Sequence, residues 1–360
     1  MVKVTIIVPV YNVEAYIEEC ITSIMAQDFK SLEVLIINDC TQDKSIEIAQ
    51  KIISEYNGPH RYRIINLEKN SGVSAARNRG LYEASGSLIY YLDSDDSICK
   101  GAITNLVEIQ NKTNVDIVIG NLKVIDYLTK KPAKSPIDLY KNFYIFKSLE
   151  DLYSCPKVLS MDFNGIAWNK LIKKDFLIKN NILFDEGILF EDDIWGYKVY
   201  CNKPTMAVSN QITYIYKIRP NSVMTTFTEK HLYSAVKCAD IAISYGLNRN
   251  EKNWFTLDKI EKYINGALYK SFDKVSNIYI YKKLYRRFKN KYKPSLNFWT
   301  NANIPLPTKI KSIHYLLPTF LGEKYLLFFF KIQQNKMRKI YPRQSSIPSI
   351  KLDDTFGDNI

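Results

Sequence analysis

The 360-residue sequence predicts an α/β protein, with a doubly wound, mostly parallel sheet followed by a helical C-terminal region. Three observations carry this. Short β-branched runs alternate with helix-spaced segments over roughly the first 100 residues, the pattern of parallel strands joined by crossover helices. The strongest of these runs ends abruptly in acidic residues, where open α/β sheets keep their ligands. From Lys230 onward the pattern changes to long amphipathic helices.

Val4–Val10 is β-branched and reads as a buried strand. Pro9 cannot donate to a ladder, so pairing is expected to stop there, and Asn12 is a candidate cap for the next helix. Ile17, Cys20, Ile21 and Ile24 recur at helical spacing. Leu32–Ile37 is the second strand, ending in Asn38-Asp39; Ile46–Ile53 is helical; Tyr62–Asn66 is a third strand. Asn70–Gly80 opens as a loop and enters a helix. Its Gly72 permits an unusual backbone angle, and the helix N-terminus with Arg77 and Arg79 suits an anion. A helix at Ile103–Gln110, a strand at Asp116–Gly120, a strand entering a helix over Ala167–Ile178, a helix at Phe190–Tyr200 and a strand at Ile212–Ile218 follow.

The stretch Ile89–Asp96 organises the rest. A buried apolar run ends in Asp93, Ser94, Asp95 and Asp96. Three carboxylates in four residues repel one another unless a cation joins them. Mg²⁺ or Mn²⁺ is the natural partner, since it takes carboxylate oxygen and is shared with substrate phosphates. An acidic surface turn that binds nothing is the alternative, and the acids alone do not choose between the two.

The formal charge of +13 is uneven. Residues 231–360 hold 23 Lys and Arg against 9 Asp and Glu, while residues 1–230 are close to neutral. That asymmetry points to two functional regions. The six cysteines, at 20, 40, 99, 155, 201 and 238, form no Cys-x-x-Cys pair and no zinc-spaced cluster with the three histidines. Reduced thiols in the cytoplasm are therefore expected. No signal-peptide pattern opens the chain, and no apolar stretch is long enough to span a bilayer.

Five motifs in order complete the reading: Ile-Ile-Val-Pro-Val-Tyr-Asn (6–12), Ile-Ile-Asn-Asp-Cys-Thr-Gln-Asp (36–43), Asn-Ser-Gly-Val-Ser-Ala-Ala-Arg-Asn (70–78), Leu-Asp-Ser-Asp-Asp (92–96) and Glu-Asp-Asp (191–193). The set resembles the family 2 glycosyltransferases of GT-A fold that build bacterial surface polysaccharides. The resemblance is strong over residues 1–125 and extends to about residue 225. It implies a nucleotide-diphosphate-sugar donor, usually a UDP-sugar, with Pro9, Tyr11 and Asn12 lining the base pocket and Asp39 accepting from the uracil ring. Asn38-Asp39-Cys40 departs from the family's commoner Asp-Asp-Gly, which alters the turn. The loop residues Asn70 and Gly72 and the helix residue Arg77 would lie towards the donor, Arg77 near the diphosphate. Asp93 would approach the ribose, Ser94 would belong to the nucleotide-sugar site, Asp95 would bind the metal, and Asp96 would support it. Asp192 of the Glu191-Asp192 pair would be the general base of an inverting displacement, with Asp193 as the alternative. Trp168, Asn169 and Lys170 resemble the acceptor side, and Arg219 and Ser222 a late element closing over the diphosphate.

The resemblance further implies an oligosaccharide or lipid-linked glycan acceptor, in capsule, exopolysaccharide or O-antigen synthesis. The same fold with a GDP- or dTDP-sugar, or a non-catalytic scaffold subunit, are the alternatives. Residues 1–225 are expected to form the catalytic domain, with 1–125 as its nucleotide and metal half and 126–225 as its acceptor half. Residues 226–360 are expected to form a basic helical region that meets the inner membrane surface or self-associates. No nucleic-acid module is present. Tyr325–Phe330 either dips into that surface or packs as core.

Overall fold

The structure, a computed structural model, describes residues 3–133, 142–148, 151–152, 165–218, 227–248, 253–340, 349–353 and 355–356. The chain divides into two compact units: Met1–Gly187 with Glu191–Pro220, and Ile188–Phe190 with Asn221–Ile360.

The first unit is built on one sheet. Its strands are β1 (Val4–Val10), β2 (Leu32–Asn38), β3 (Arg61–Asn66), β4 (Leu88–Tyr91), β5 (Ser97–Ile98), β6 (Ile117–Asp126), β7 (Tyr144–Phe146), β8 (Lys170–Lys173) and β9 (Met206–Ile218). The order across the sheet is β3-β2-β1-β4-β8-β6-β9-β5, with β7 paired to β9. The strands β1 to β4 are mutually parallel, as the alternation of strand and helix requires. Their crossover helices are α1 (Ile17–Met25), α2 (Ser45–Ser54) and α3 (Val73–Glu83), and α4 (Ala102–Thr113) leads into β6. Beyond β4 the sheet is mixed, because β8 enters antiparallel between β4 and β6. The helices α5 (Lys174–Lys179) and α6 (Glu191–Cys201) complete this unit. β1, buried along its whole length, is the centre of the core.

Two local expectations are corrected. Pairing does not stop at Pro9: β1 stays in register with β2 as far as Val10 and Asn38. In a parallel strand alternate residues bond to opposite neighbours, and Val10 accepts from Asp39 on the β2 side while Ile7 accepts from Leu92 on the β4 side. The missing amide of Pro9 therefore faces β4, whose pairing has already ended at Ile7 and Tyr91. Nor does Asn12 cap α1, which begins five residues later with no side-chain cap. Asn12 instead turns the chain at φ +53° and donates its amide to Thr41 Oγ1 at 2.8 Å.

The second unit is helical. It contains α7 (Glu229–Asn248), α8 (Trp254–Asp273), α9 (Ile278–Lys291), α10 (Leu296–Thr300), α11 (Leu306–Ser312), a 3₁₀ turn (Ile313–Tyr315) and α12 (Thr319–Ile340). Asn253 and Asn277 cap α8 and α9 by accepting from the amides of Thr256 and Tyr279. The apolar stripe Leu232, Ala235, Val236, Ala239 and Ala242 of α7 is buried. Phe330 of α12 is buried among the rings of Tyr269, Phe272 and Tyr281. Among the described residues no helix is long and apolar enough to cross a membrane.

Candidate active site

A cavity of about 260 Å³ opens at the carboxyl ends of β1, β2 and β4, lined among others by Pro9, Tyr11, Asp39, Arg77, Asp93, Asp95 and Glu191. The parallel strands end there together because their register is fixed by the buried faces. Ser94 also lines this cavity.

Asp39 stands where β2 ends, and it is buried. Its carboxylate accepts from the amides of Ser71 at 2.7 Å and Gly72 at 2.8 Å, which ties the loop before α3 to the end of β2. Gly72 adopts φ +86° and ψ 166°, a conformation confined in practice to glycine. Cys40 sits at φ +54°, the left-handed conformation a glycine would take. Its thiol donates to the Leu67 carbonyl at 3.0 Å, so the departure from Asp-Asp-Gly keeps the backbone form of the turn. Asn70 is exposed beside this turn, and neither it nor Asn12 is among the residues lining the cavity.

Arg77 is the electrostatic hub. Burial in the second turn of α3 would be costly for a lone guanidinium. Here it donates to Asp93 Oδ1 at 2.8 Å, Asp192 Oδ1 at 2.5 Å and Glu191 Oε1 at 3.4 Å, and it lies 5.1 Å over the Phe184 ring. Burial lowers its pKa, but Asp192, Asp93 and Glu191 outweigh that and hold it above the ordinary arginine range. Arg77 thereby joins the end of β4 to the start of α6, two segments roughly 100 residues apart in sequence.

The ligand-bearing oxygens of Asp93, Asp95 and Asp96 lie within 4.8 Å of one another. They are not equivalent. Asp96 is buried and accepts from Tyr214 Oη at 2.7 Å and the Lys217 amide at 2.8 Å, both on β9. Burial first, then Asp95 and Asp93, pushes its carboxyl well above the usual carboxylate range, with those two hydrogen bonds opposing. Asp93 and Asp95 instead line the cavity. The carboxylates of Asp93 and Asp95, converging on an open face, fit a divalent cation, while Asp96 anchors the turn through Tyr214 and Lys217.

Asp192 is in the first turn of α6 with Glu191 and Asp193, as expected for acids at a helix N-terminus. Burial pushes its pKa up to about 7; Arg77 and Lys170 oppose that rise, while Glu191 and Asp93 add to it. Lys170 is buried on β8 and donates to the Ile166 carbonyl; burial draws its pKa down to about 7 against the pull of Asp192. Asp193 is exposed and outside the Arg77 cluster.

Trp168 and Asn169 belong to the sheet interior. The Trp168 ring stacks on Tyr214 at 4.5 Å and Tyr216 at 5.5 Å. Asn169, fully buried at φ +57°, donates to the carbonyls of Gly120 and Asn121 and accepts from Thr213 Oγ1 at 2.7 Å. Those bonds hold the β6–β8–β9 junction together. Arg219 and Ser222 lie outside the described residues. Sequence reasoning missed Phe184, Tyr214 and Lys217. For Lys217 a signal existed, since a lysine inside the apolar run Ile212–Ile218 calls for a partner.

Against known proteins, the profile of Glycosyl transferase family 2 matches residues 5–169. Glycosyltransferase GlyA of Streptococcus pneumoniae serotype 4 is 34% identical over 241 residues, 65% of this chain and 33% of that protein. The minor teichoic acid biosynthesis protein GgaB of Bacillus subtilis is 38% identical over 119 residues, 32% of this chain and 13% of that protein. The chain thus spans a third or less of the length of these two relatives. Among solved structures, S. aureus TarS 1–349 in complex with UDP-GlcNAc superposes with a TM-score of 0.67 at 19% identity, over 94% of this chain and 92% of that one. At that identity the likeness is one of fold, and the fold is of GT-A type.

Proposed function

We propose that this chain, whose residues 5–169 match the profile of glycosyl transferase family 2, transfers one sugar from a UDP-sugar to a hydroxyl of a growing glycan in bacterial surface-polysaccharide or teichoic-acid synthesis. One observation carries the reading. The turn at Asp39, the guanidinium of Arg77, the carboxylates of Asp93 and Asp95 and Glu191 of α6 line a single cavity, and Asp192, which is not among the lining residues, is tied to it through Arg77. The UDP-GlcNAc and UDP complexes of TarS, a protein of the same fold, support the choice of nucleotide.

In this reading Pro9 and Tyr11 wall the base pocket, and Asp39 takes the base edge while fixing the Gly72 loop. Asp93 and Ser94 face the ribose. A Mn²⁺ or Mg²⁺ ion held by Asp95 would offset the charge of the departing diphosphate. Arg77 lies at the same end of the cavity and exchanges part of its carboxylate contacts for diphosphate oxygens when the donor binds. Asp192 removes the proton from the acceptor hydroxyl as its oxygen attacks the anomeric carbon. The bond to the UDP oxygen breaks in the same displacement and the anomeric centre inverts. A carboxylate pushed up to about 7 is suited to accept that proton near neutral pH. The acceptor is a lipid-linked oligosaccharide of capsule, exopolysaccharide or O-antigen type, met at the cytoplasmic face of the membrane.

The test is calorimetric titration with UDP, GDP and dTDP, each with and without Mn²⁺. Metal-dependent binding of UDP in preference to the others is the expected result. Preference for GDP or dTDP changes the donor and keeps the site. Failure of every nucleotide to bind the folded chain overturns the transferase reading in favour of a scaffold role.

A further inference from the structure

Helix α12 has two apolar faces, and the helical unit that carries it covers only one. Leu326 and Phe330 are buried. Leu321, Phe328 and Ile332 recur at i, i+7 and i+11, which places them on one stripe, and they are 43%, 61% and 50% exposed. Tyr325 lies on the same stripe and donates its hydroxyl to the Ile310 carbonyl at 2.8 Å, which brings the exposed Ile310 of α11 beside it. A soluble surface rarely keeps so continuous an apolar row without a use for it.

Among the described residues of α12, the charges around the row are of one sign. Lys324 and Lys331 border it, both exposed, and Lys336, Arg338 and Lys339 follow towards the helix end. The single acid of the helix, Glu323, points into the covered side, 3.8 Å from Lys282 Nζ. An apolar row flanked by cations and free of acids is complementary to the headgroup boundary of an anionic bilayer. It is poorly suited to a second copy of itself, since a two-fold contact would set one lysine flank against the other.

We infer that the α11–α12 face is a docking surface for membranes rich in anionic lipid. Leu321, Phe328 and Ile332 enter the headgroup boundary, and Lys324 and Lys331 pair with lipid phosphates. This gives the membrane-surface reading of the helical region a specific face, and it is independent of the transferase chemistry.

The test is sedimentation of the whole chain with vesicles of phosphatidylcholine alone and of phosphatidylcholine with phosphatidylglycerol. Wild type is expected to sediment with the anionic vesicles and only weakly with the neutral ones. The pair Lys324→Gln and Lys331→Gln is expected to lower partition about 25-fold, near fivefold for each cation at the surface. The triple change Leu321→Ser, Phe328→Ser and Ile332→Ser is expected to lower it about 100-fold. All these side chains are exposed, so circular dichroism and nucleotide binding are expected to be unchanged. Wild-type binding to anionic vesicles that both variants retain refutes this face and keeps the membrane reading. No vesicle binding by wild type refutes both. A wild-type dimer that the triple variant dissolves assigns the face to a second copy and overturns the proposal.

Discussion

The substitution Asp192→Asn separates chemistry from stability at the site. Asp192, Asp93 and Glu191 bring three carboxylates to the one guanidinium of Arg77. Replacing one carboxylate by an amide keeps an oxygen to accept from Arg77 and removes a surplus negative charge. The sign follows from proton linkage. A carboxyl whose pKa in the folded chain is raised from an ordinary value near 3.9 to about 7 binds its proton more tightly folded than unfolded. Its contribution to stability is full below the lower value and falls as pH rises through the interval, flattening above the upper one. About three pH units at 1.36 kcal/mol each set an upper bound of about 4 kcal/mol, and the Arg77 contact together with partial exposure of the side chain reduces it to about 1–2 kcal/mol. Asp192→Asn is therefore expected to raise the melting temperature at about pH 8 and to leave it unchanged at about pH 4, Lys170 titrating in both proteins. Sugar transfer is expected to fall by about 10²–10⁴, the usual value of a positioned base, with UDP binding intact. The assay is transfer from a UDP-sugar to acceptor, read beside thermal melts at the two pH values. Transfer near the wild-type rate refutes the base assignment. A lower melting temperature at about pH 8 refutes the charge accounting.

Two further predictions concern the donor side. Asp95→Ala is expected to abolish the Mn²⁺-dependent part of UDP binding in calorimetry while leaving the fold intact, because the Asp96 anchor to Tyr214 and Lys217 remains. Gly72→Ala is expected to cost about 1–3 kcal/mol and to weaken UDP binding, since a Cβ there meets no neighbour and the whole cost is the backbone conformation at φ +86°; denaturant melts and calorimetry read both effects.

The parallel front of the sheet was legible in the sequence because each strand is a β-branched run and each crossover helix an apolar repeat, both local patterns. The acidic end of β4 was legible for the same reason. The extent of β9 was not. Its first half, from Met206, carries Ser209, Asn210 and Gln211 and does not look like a strand, yet it pairs with β6 across a shift in register near Asn121. That pairing is paid in contacts with a strand some 90 residues earlier, which no local window contains. The surroundings of Trp168 to Lys170 were not legible for a related reason. The Trp168 ring and the Asn169 amide are satisfied by partners on β6 and β9, while Lys170 donates to the Ile166 carbonyl and feels the charge of Asp192.

The sequence by itself determined the fold type, the order of the motifs, the acids that could hold a cation and the cationic C-terminal helices, because these depend on residue type and spacing along the chain. Only the tertiary structure decided that Arg77 bonds Asp93, Glu191 and Asp192 together, that Asp96 faces inward to β9 while Asp95 faces the cavity, and that α12 leaves one of its two apolar faces exposed. Each of those depends on which distant segments the fold brings within hydrogen-bond or van der Waals reach, a distance of a few ångströms that one-dimensional spacing does not encode.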